Sequence, residues 1–168
     1  MDLQLKDKVV LITGGGKGIG AAIVRGCARE GAVPVFVDKD AGAANQLKKE
    51  LCDSGAKCGL IIADIIAPEA CATIVDQTLR EFGRLDVLVN NVGVNDNVGL
   101  ETGSPEKYVQ SLQLNLLHYY NMAHFALPAL KKTHGCILNI ASKVAMTGQS
   151  KTSSYTSAKG AILSLTRN

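Results

Sequence analysis

Tryptophan is absent from this sequence, and three phenylalanines and four tyrosines are its whole set of aromatic carbocycles in 168 residues. The core must therefore be built mostly from aliphatic side chains. A long apolar run is also missing. Within the longest uncharged stretch, segment 112–130 carries Gln113, Asn115, His118, Asn121, His124 and Pro128, which argues against a membrane span. Charge is nearly balanced: 18 basic and 15 acidic residues leave +3, with no basic stripe or arm of the kind nucleic acid selects. The five cysteines (Cys27, Cys52, Cys58, Cys71, Cys136) are odd in number and form no C-x-x-C pair. They read as small buried apolar residues of a reducing compartment. His118 and His124 stand six apart, a poor spacing for a metal, and read as helix surface or interface positions. The opening Met1-Asp2-Leu3-Gln4-Leu5-Lys6-Asp7 is too charged for a signal peptide, so the cytoplasm is the expected location.

What is present is an alternation of short apolar runs with longer helical patterns. Segments 9–12, 33–37, 59–62, 87–89 and 137–140 read as strands. Segments 18–30, 41–53 and 68–82 read as helices, the last two ended by Gly55 and Gly83. Ser104-Pro105-Glu106 is a helix start: a capping hydroxyl, proline in the first turn, then an acid. That helix is expected to reach Lys132, with a kink at Pro128. A polar loop follows the fifth strand, and a last helix begins near Ser154 and is still running at Asn168. Strands that are apolar throughout are buried on both faces, as in a parallel sheet. Repeated strand–helix units then give one doubly wound α/β domain over 1–168, a Rossmann-like fold with helices on both faces.

The first strand–helix turn is Thr13-Gly14-Gly15-Gly16-Lys17-Gly18-Ile19-Gly20. Gly14, Gly18 and Gly20 permit a tight turn and a close backbone approach to phosphate oxygens. The free N–H groups of the following helix would face a pyrophosphate. A glycine cluster by itself is equally an ordinary turn. Asp38, at the end of the second strand, strengthens the dinucleotide reading, because an acid there accepts from the ribose hydroxyls and repels a 2′-phosphate. It can also be a plain capping aspartate. Lys17, a cation in the turn, would tolerate NADP, but the carboxylate favours NAD. Asp64, with Ile65 beside it, follows the third strand and is placed to touch adenine. Asn90-Asn91-Val92-Gly93 closes the fourth strand where ligands sit in such sheets; Asn90 can be a strand tie or a cofactor contact.

Tyr155 and Lys159 lie four apart, one helical turn, on one face. A phenol ionises near pH 10, and a neighbouring ammonium favours the phenolate. Tyr155 is thus a candidate general acid/base. Ser142, directly after the fifth strand, can hold and polarise a substrate oxygen. Lys159 can also bond the nicotinamide ribose.

With these residues in view, the chain resembles the short-chain dehydrogenase/reductase family across nearly its whole length. The matching motifs are the glycine turn (Thr13 to Gly20), Asn-Asn-x-Gly (Asn90 to Gly93), a helical Asn115, Ser142 and Tyr155-x-x-x-Lys159. The resemblance implies that Asn115 joins the catalytic group, holding a water that links Lys159 to solvent. Val92 departs from the family's usual alanine. The resemblance also implies a homodimer or homotetramer, built on the 104–132 helix and the last helix. Family members continue well beyond this point, so the chain is expected to be truncated inside the Tyr155/Lys159 helix, with an unpaired edge on the fifth strand. A narrower resemblance, carried by Val94-Asn95-Asp96-Asn97, Leu117-His118-Tyr119-Tyr120 and Ser142-Lys143-Val144-Ala145-Met146-Thr147-Gly148-Gln149, is to bacterial L-fucose dehydrogenases. Those oxidise a sugar's anomeric carbon. Asn95, Lys143 and Gln149 then become candidate substrate ligands, though each is equally a solvated loop residue. The expected function is hydride transfer from an L-fucose-like aldose, or another secondary alcohol, to NAD(P), without a metal. The rival is a non-catalytic dinucleotide-binding scaffold of the same fold.

Overall fold

The computed structural model describes residues 2–167. Met1 of the opening segment and Asn168, to which the last helix was expected to run, lie outside the described residues. Five strands, β1 (Val9–Thr13), β2 (Val33–Asp38), β3 (Gly59–Ile62), β4 (Val87–Asn90) and β5 (Cys136–Asn139), form one parallel sheet in the order β3-β2-β1-β4-β5. The chain steps outward from β1 to β3, then returns to place β4 on the other side of β1. Ligand crevices open where the order reverses, beyond the carboxyl ends of β1 and β4.

Side chains alternate across the sheet. Val9 and Leu11, with Val35 and Val37, pack with Ile74, Met122 and Leu130 on one face. Val10, Ile12 and Phe36 pack with Val24, Leu47 and Leu51 on the other. The helices α1 (Gly18–Arg29) and α2 (Ala41–Asp53) cover the second face; α3 (Pro68–Phe82) and α5 (His118–Thr133) cover the first. The caps follow the sequence: Asp40 accepts from Ala43 N–H, Ser104 from Lys107 N–H, and Gly83 ends α3 with φ 74°.

The helix expected over 104–132 is present in extent but not in form. It consists of α4 (Pro105–Leu112), a π-helical turn (Gln113–Leu117) and α5, which runs through Pro128 to Thr133. The expected polar loop after β5 contains one short helix, α6 (Val144–Thr147), before α7 (Ser153–Thr166). β5 pairs with β4 alone among the described residues, and Leu138 on it is half exposed. No described helix is long and apolar enough to cross a membrane. The five cysteines are all free thiols. His118 corrects the sequence expectation: it is fully buried, not at the surface, whereas His124 is exposed. His118 shares the inward stripe of Ser111, Asn115 and Met122, and its ring Nε2 is satisfied within the helix by the Leu114 carbonyl at 3.0 Å. A histidine so bonded can be buried as the neutral imidazole, and burial pushes its pKa down to about 4.

Candidate active site

The turn after β1 is shaped by close approaches. A side chain at Gly20 would run into the Gly14 carbonyl, and Gly14 itself has φ 64°. Asn91 secures this turn from β4, its Nδ2 donating to the carbonyls of Thr13 (3.0 Å) and Gly14 (3.1 Å). No side chain caps the start of α1, in contrast to α2 and α4. The first N–H groups of α1, at Gly18, Ile19 and Gly20, thus stay available to an anion at the helix's positive end.

Asp38 stands at the end of β2 with both carboxylate oxygens engaged, by Gly16 N–H at 2.8 Å and Asp40 N–H at 3.0 Å. The nearby cations are paired: Lys17 with Asp40 at 3.2 Å and Lys39 with Asp64 at 3.5 Å. A cleft of about 580 Å³ runs from here across the sheet's carboxyl edge. Gly14, Lys17, Ile19 and Gly20 line one end; Asp38, Asp64 and Ile65 line its side; Asn91, Gly93, Ser142, Tyr155 and Lys159 line the other end. The structure therefore brings the sequence-predicted cofactor and proton-transfer residues to one cleft; only Gly18 of the turn and the buried Asn115 are off its wall. Asn90 is resolved as a tie: it is buried, with Nδ2 donating to Asn139 Oδ1 and the Tyr119 carbonyl.

Ser142 and Tyr155 are half-buried at the cleft, and Lys159 is buried. Lys159 is held differently from the expectation of a lysine aimed at Tyr155. Its Nζ donates to the Tyr119 hydroxyl and to the Ile140 carbonyl, each at 2.9 Å, and lies 5.7 Å from the centre of the Tyr155 ring. Burial lowers the Lys159 pKa to about 8, since desolvation disfavours the charged form. Tyr119 went unassigned in the sequence because nothing in the spacing along a helix says that α7 will cross it. Its place four residues after Asn115, on the same stripe, was the one available signal.

Asn115 is fully buried in the π turn. Its Oδ1 accepts from Val94 N–H at 2.8 Å and its Nδ2 donates to the Ser111 carbonyl at 3.1 Å. The side chain thus pins the loop after β4 to the helix that backs the cleft. Asn95, Lys143 and Gln149 are not among the cleft's lining residues. Asn95 turns its Oδ1 to Asn97 N–H in its own loop, and Lys143 and Gln149 are exposed on the segment beyond Ser142.

The family model for short chain dehydrogenase matches residues 8–168. Curated relatives include L-fucose dehydrogenase of Bos taurus, 39% identical over 99% of this chain and 61% of its own length, and that of Mus musculus, 42% identical over 95% and 58%. These two are mammalian proteins; the resemblance to L-fucose dehydrogenases holds, while a specifically bacterial one is not shown. A probable galactose dehydrogenase of Rhizobium meliloti is 35% identical over 98% of the chain. Among solved structures, Cj0485 dehydrogenase superposes with TM-score 0.92 at 39% identity, covering 99% of this chain and 64% of that one. An alcohol dehydrogenase of the archaeon Thermococcus sibiricus, complexed with 5-hydroxy-NADP, gives 0.90 at 30% identity, covering 95% and 68%. The chain spans 61% and 58% of the bovine and mouse relatives. On this match and on the shared parallel sheet, the chain belongs to the short-chain dehydrogenase family.

Proposed function

We propose that this chain carries the nucleotide-binding and proton-transfer machinery of an NAD-dependent dehydrogenase acting on a sugar, at the anomeric carbon of an L-fucose-like aldose, or on another secondary alcohol. One observation carries the proposal. A single cleft has an uncapped helix N-terminus at one end and Ser142, Tyr155 and Lys159 at the other. The cradle at Gly14 and Gly20, which a Cβ would fill, fits a dinucleotide's phosphates. Gly14, Lys17, Gly18, Ile19 and Gly20 would hold the pyrophosphate, Asp38 the adenosine ribose, Asp64 and Ile65 the adenine, and Asn91, Gly93 and Lys159 the nicotinamide half. When bound, the nicotinamide supplies the hydride acceptor.

The chain's own residues do the rest. Ser142 holds the substrate oxygen. Tyr155 takes the hydroxyl proton as general base and returns it in the reverse direction. Lys159 anchors the ribose and adds positive potential near the phenol. Asn115 fixes the loop behind Gly93 and supports proton exit through the π turn. Asn95, Lys143 and Gln149, which do not line the cleft, receive no part in this assignment. The names of the bovine, mouse and Rhizobium relatives support a sugar donor. Asp38 supports NAD over NADP, because its carboxylate repels a 2′-phosphate while Lys17 and Lys39 are already paired. Exposed Val109, Leu117, Tyr120 and Leu127, on α4, the π turn and α5, suit a homo-oligomer. Five free thiols suit a cytoplasmic setting.

The test is NADH and NADPH binding by fluorescence, with NADH formation on a panel of L-fucose, related aldoses and simple alcohols. Tyr155→Phe should cut turnover about 10²–10⁴-fold and leave NADH binding intact. Cofactor binding without turnover on every donor would leave the scaffold reading standing instead.

A further inference from the structure

Lys159 is only 2% exposed, and no carboxylate pairs with it among the described residues. A buried ammonium has three N–H groups to satisfy. Two are spent on the Tyr119 hydroxyl and the Ile140 carbonyl, both at 2.9 Å. The Tyr119 hydroxyl in turn donates to that same Ile140 carbonyl at 2.9 Å. The three groups close a triangle between α5, the end of β5 and α7. Each corner is fixed from behind. Tyr119 is fully buried and its carbonyl accepts from Asn90, while Ile140 N–H donates to the Asn90 carbonyl at 2.8 Å. On the remaining side a Cβ at Gly93 would lie 3.2 Å from Lys159 Nζ and 3.2 Å from Asn115 Oδ1.

We propose that Tyr119 is a positioning residue for Lys159: its hydroxyl and the Ile140 carbonyl take two of the lysine's hydrogens and leave the third for the cleft. What that third hydrogen serves there, the ribose and Tyr155, rests on the dehydrogenase reading above. A phenol suits this task better than a carboxylate. It accepts from the ammonium without cancelling its charge, so the positive potential still reaches Tyr155. Burial and the neighbouring Tyr155 keep the Tyr119 phenol un-ionised by pushing its pKa upward. The other groups facing the lysine add no opposing charge. Asn115 of the π turn is neutral, and His118 of α5 is held neutral by burial. Tyr155 stands one turn earlier on α7.

Tyr119→Phe removes one oxygen and keeps the volume. The direct measurement is the titration of Lys159 in the cofactor-free protein, by NMR of lysine labelled at Cε, assigned with Lys159→Met. Loss of a hydrogen bond to a charged group should lower the midpoint by about one pH unit. Tyr119→Glu, the opposite-sign control, should raise it. NADH affinity of Tyr119→Phe should fall several-fold, with its alkaline limb moved to lower pH. A structural role alone would lower the melting temperature and move neither midpoint nor limb. An unchanged Lys159 midpoint in Tyr119→Phe overturns the proposal. Failure of the unaltered chain to bind NADH at all would instead sink the dehydrogenase reading, while the titration still decides for or against Tyr119.

Discussion

The two edges of the sheet treat a buried charge in opposite ways. At the amino edge, Asp86 is 3% exposed and fully compensated. Arg84 grips both its oxygens at 2.6 and 2.8 Å, Lys8 lies 3.5 Å away, and Val9 N–H donates to it at 2.9 Å. Burial opposes its ionisation, but these partners outweigh that and hold its pKa below the usual carboxylate value. At the carboxyl edge, Lys159 is equally buried and receives only neutral acceptors. Its charge is therefore costly, and its pKa falls. One edge stabilises the fold with its charge; the other holds an under-compensated charge on the wall of the cleft. Groups with perturbed pKa values gather at clefts of this kind more often than elsewhere on a fold.

The comparison can be broken by exchanging the outcomes. The largest expected effect is from Lys159→Met, which should reduce turnover at least 10²-fold while raising stability by about 1–3 kcal/mol. The Tyr119 hydroxyl and Ile140 carbonyl left behind remain bonded to each other. Thermal melts check the sign. Because folding depresses the lysine's pKa to about 8, the unfolded chain binds the extra proton above that pH. Stability of the unaltered chain should then rise between pH 8 and the ordinary lysine value near 10.4, and Lys159→Met should lack this rise. Lower melting of Lys159→Met at neutral pH would erase the contrast.

Asp86→Ala should do the reverse, losing about 2–3 kcal/mol by denaturant titration with NADH affinity unchanged. Since the folded Asp86 pKa is depressed, its contribution is present at neutral pH and disappears as pH falls through that depressed value. Asp38→Ser sharpens the picture within the cleft: relative affinity should move about tenfold toward NADPH, read by fluorescence titration with both cofactors. The smallest effect is from Gly16→Ala, whose Cβ would lie 2.9 Å from Asp38 Oδ2. It should displace that carboxylate and weaken NADH binding a few-fold, with little change in melting.

The strands, the caps and the glycine turn were legible in the sequence because each depends on neighbours close along the chain. Apolar runs gave the five strands to within a residue or so at their ends, and Ser104 caps as its position implied. Tyr155 and Lys159 were legible as a same-face pair for the same reason. The π turn at Gln113–Leu117 was not, since its residues carry ordinary helical polarity. Polarity puts His118 at a helix surface or interface, whereas the backbone of its own helix satisfies one nitrogen and permits burial. The family resemblance of the 142–149 segment makes Lys143 and Gln149 candidates beside Ser142, yet both are exposed, on the flanks of α6.

By itself the sequence determined the parallel sheet, the phosphate-ready turn and the presence of an ammonium one turn from a phenol. These follow from periodicity, glycine geometry and helical spacing, all local. Only the tertiary structure decided what holds that ammonium. Its partners, Tyr119 and the Ile140 carbonyl, are 40 and 19 residues away in the chain and meet it where three elements cross. No pattern within one helix specifies contacts that packing between elements creates.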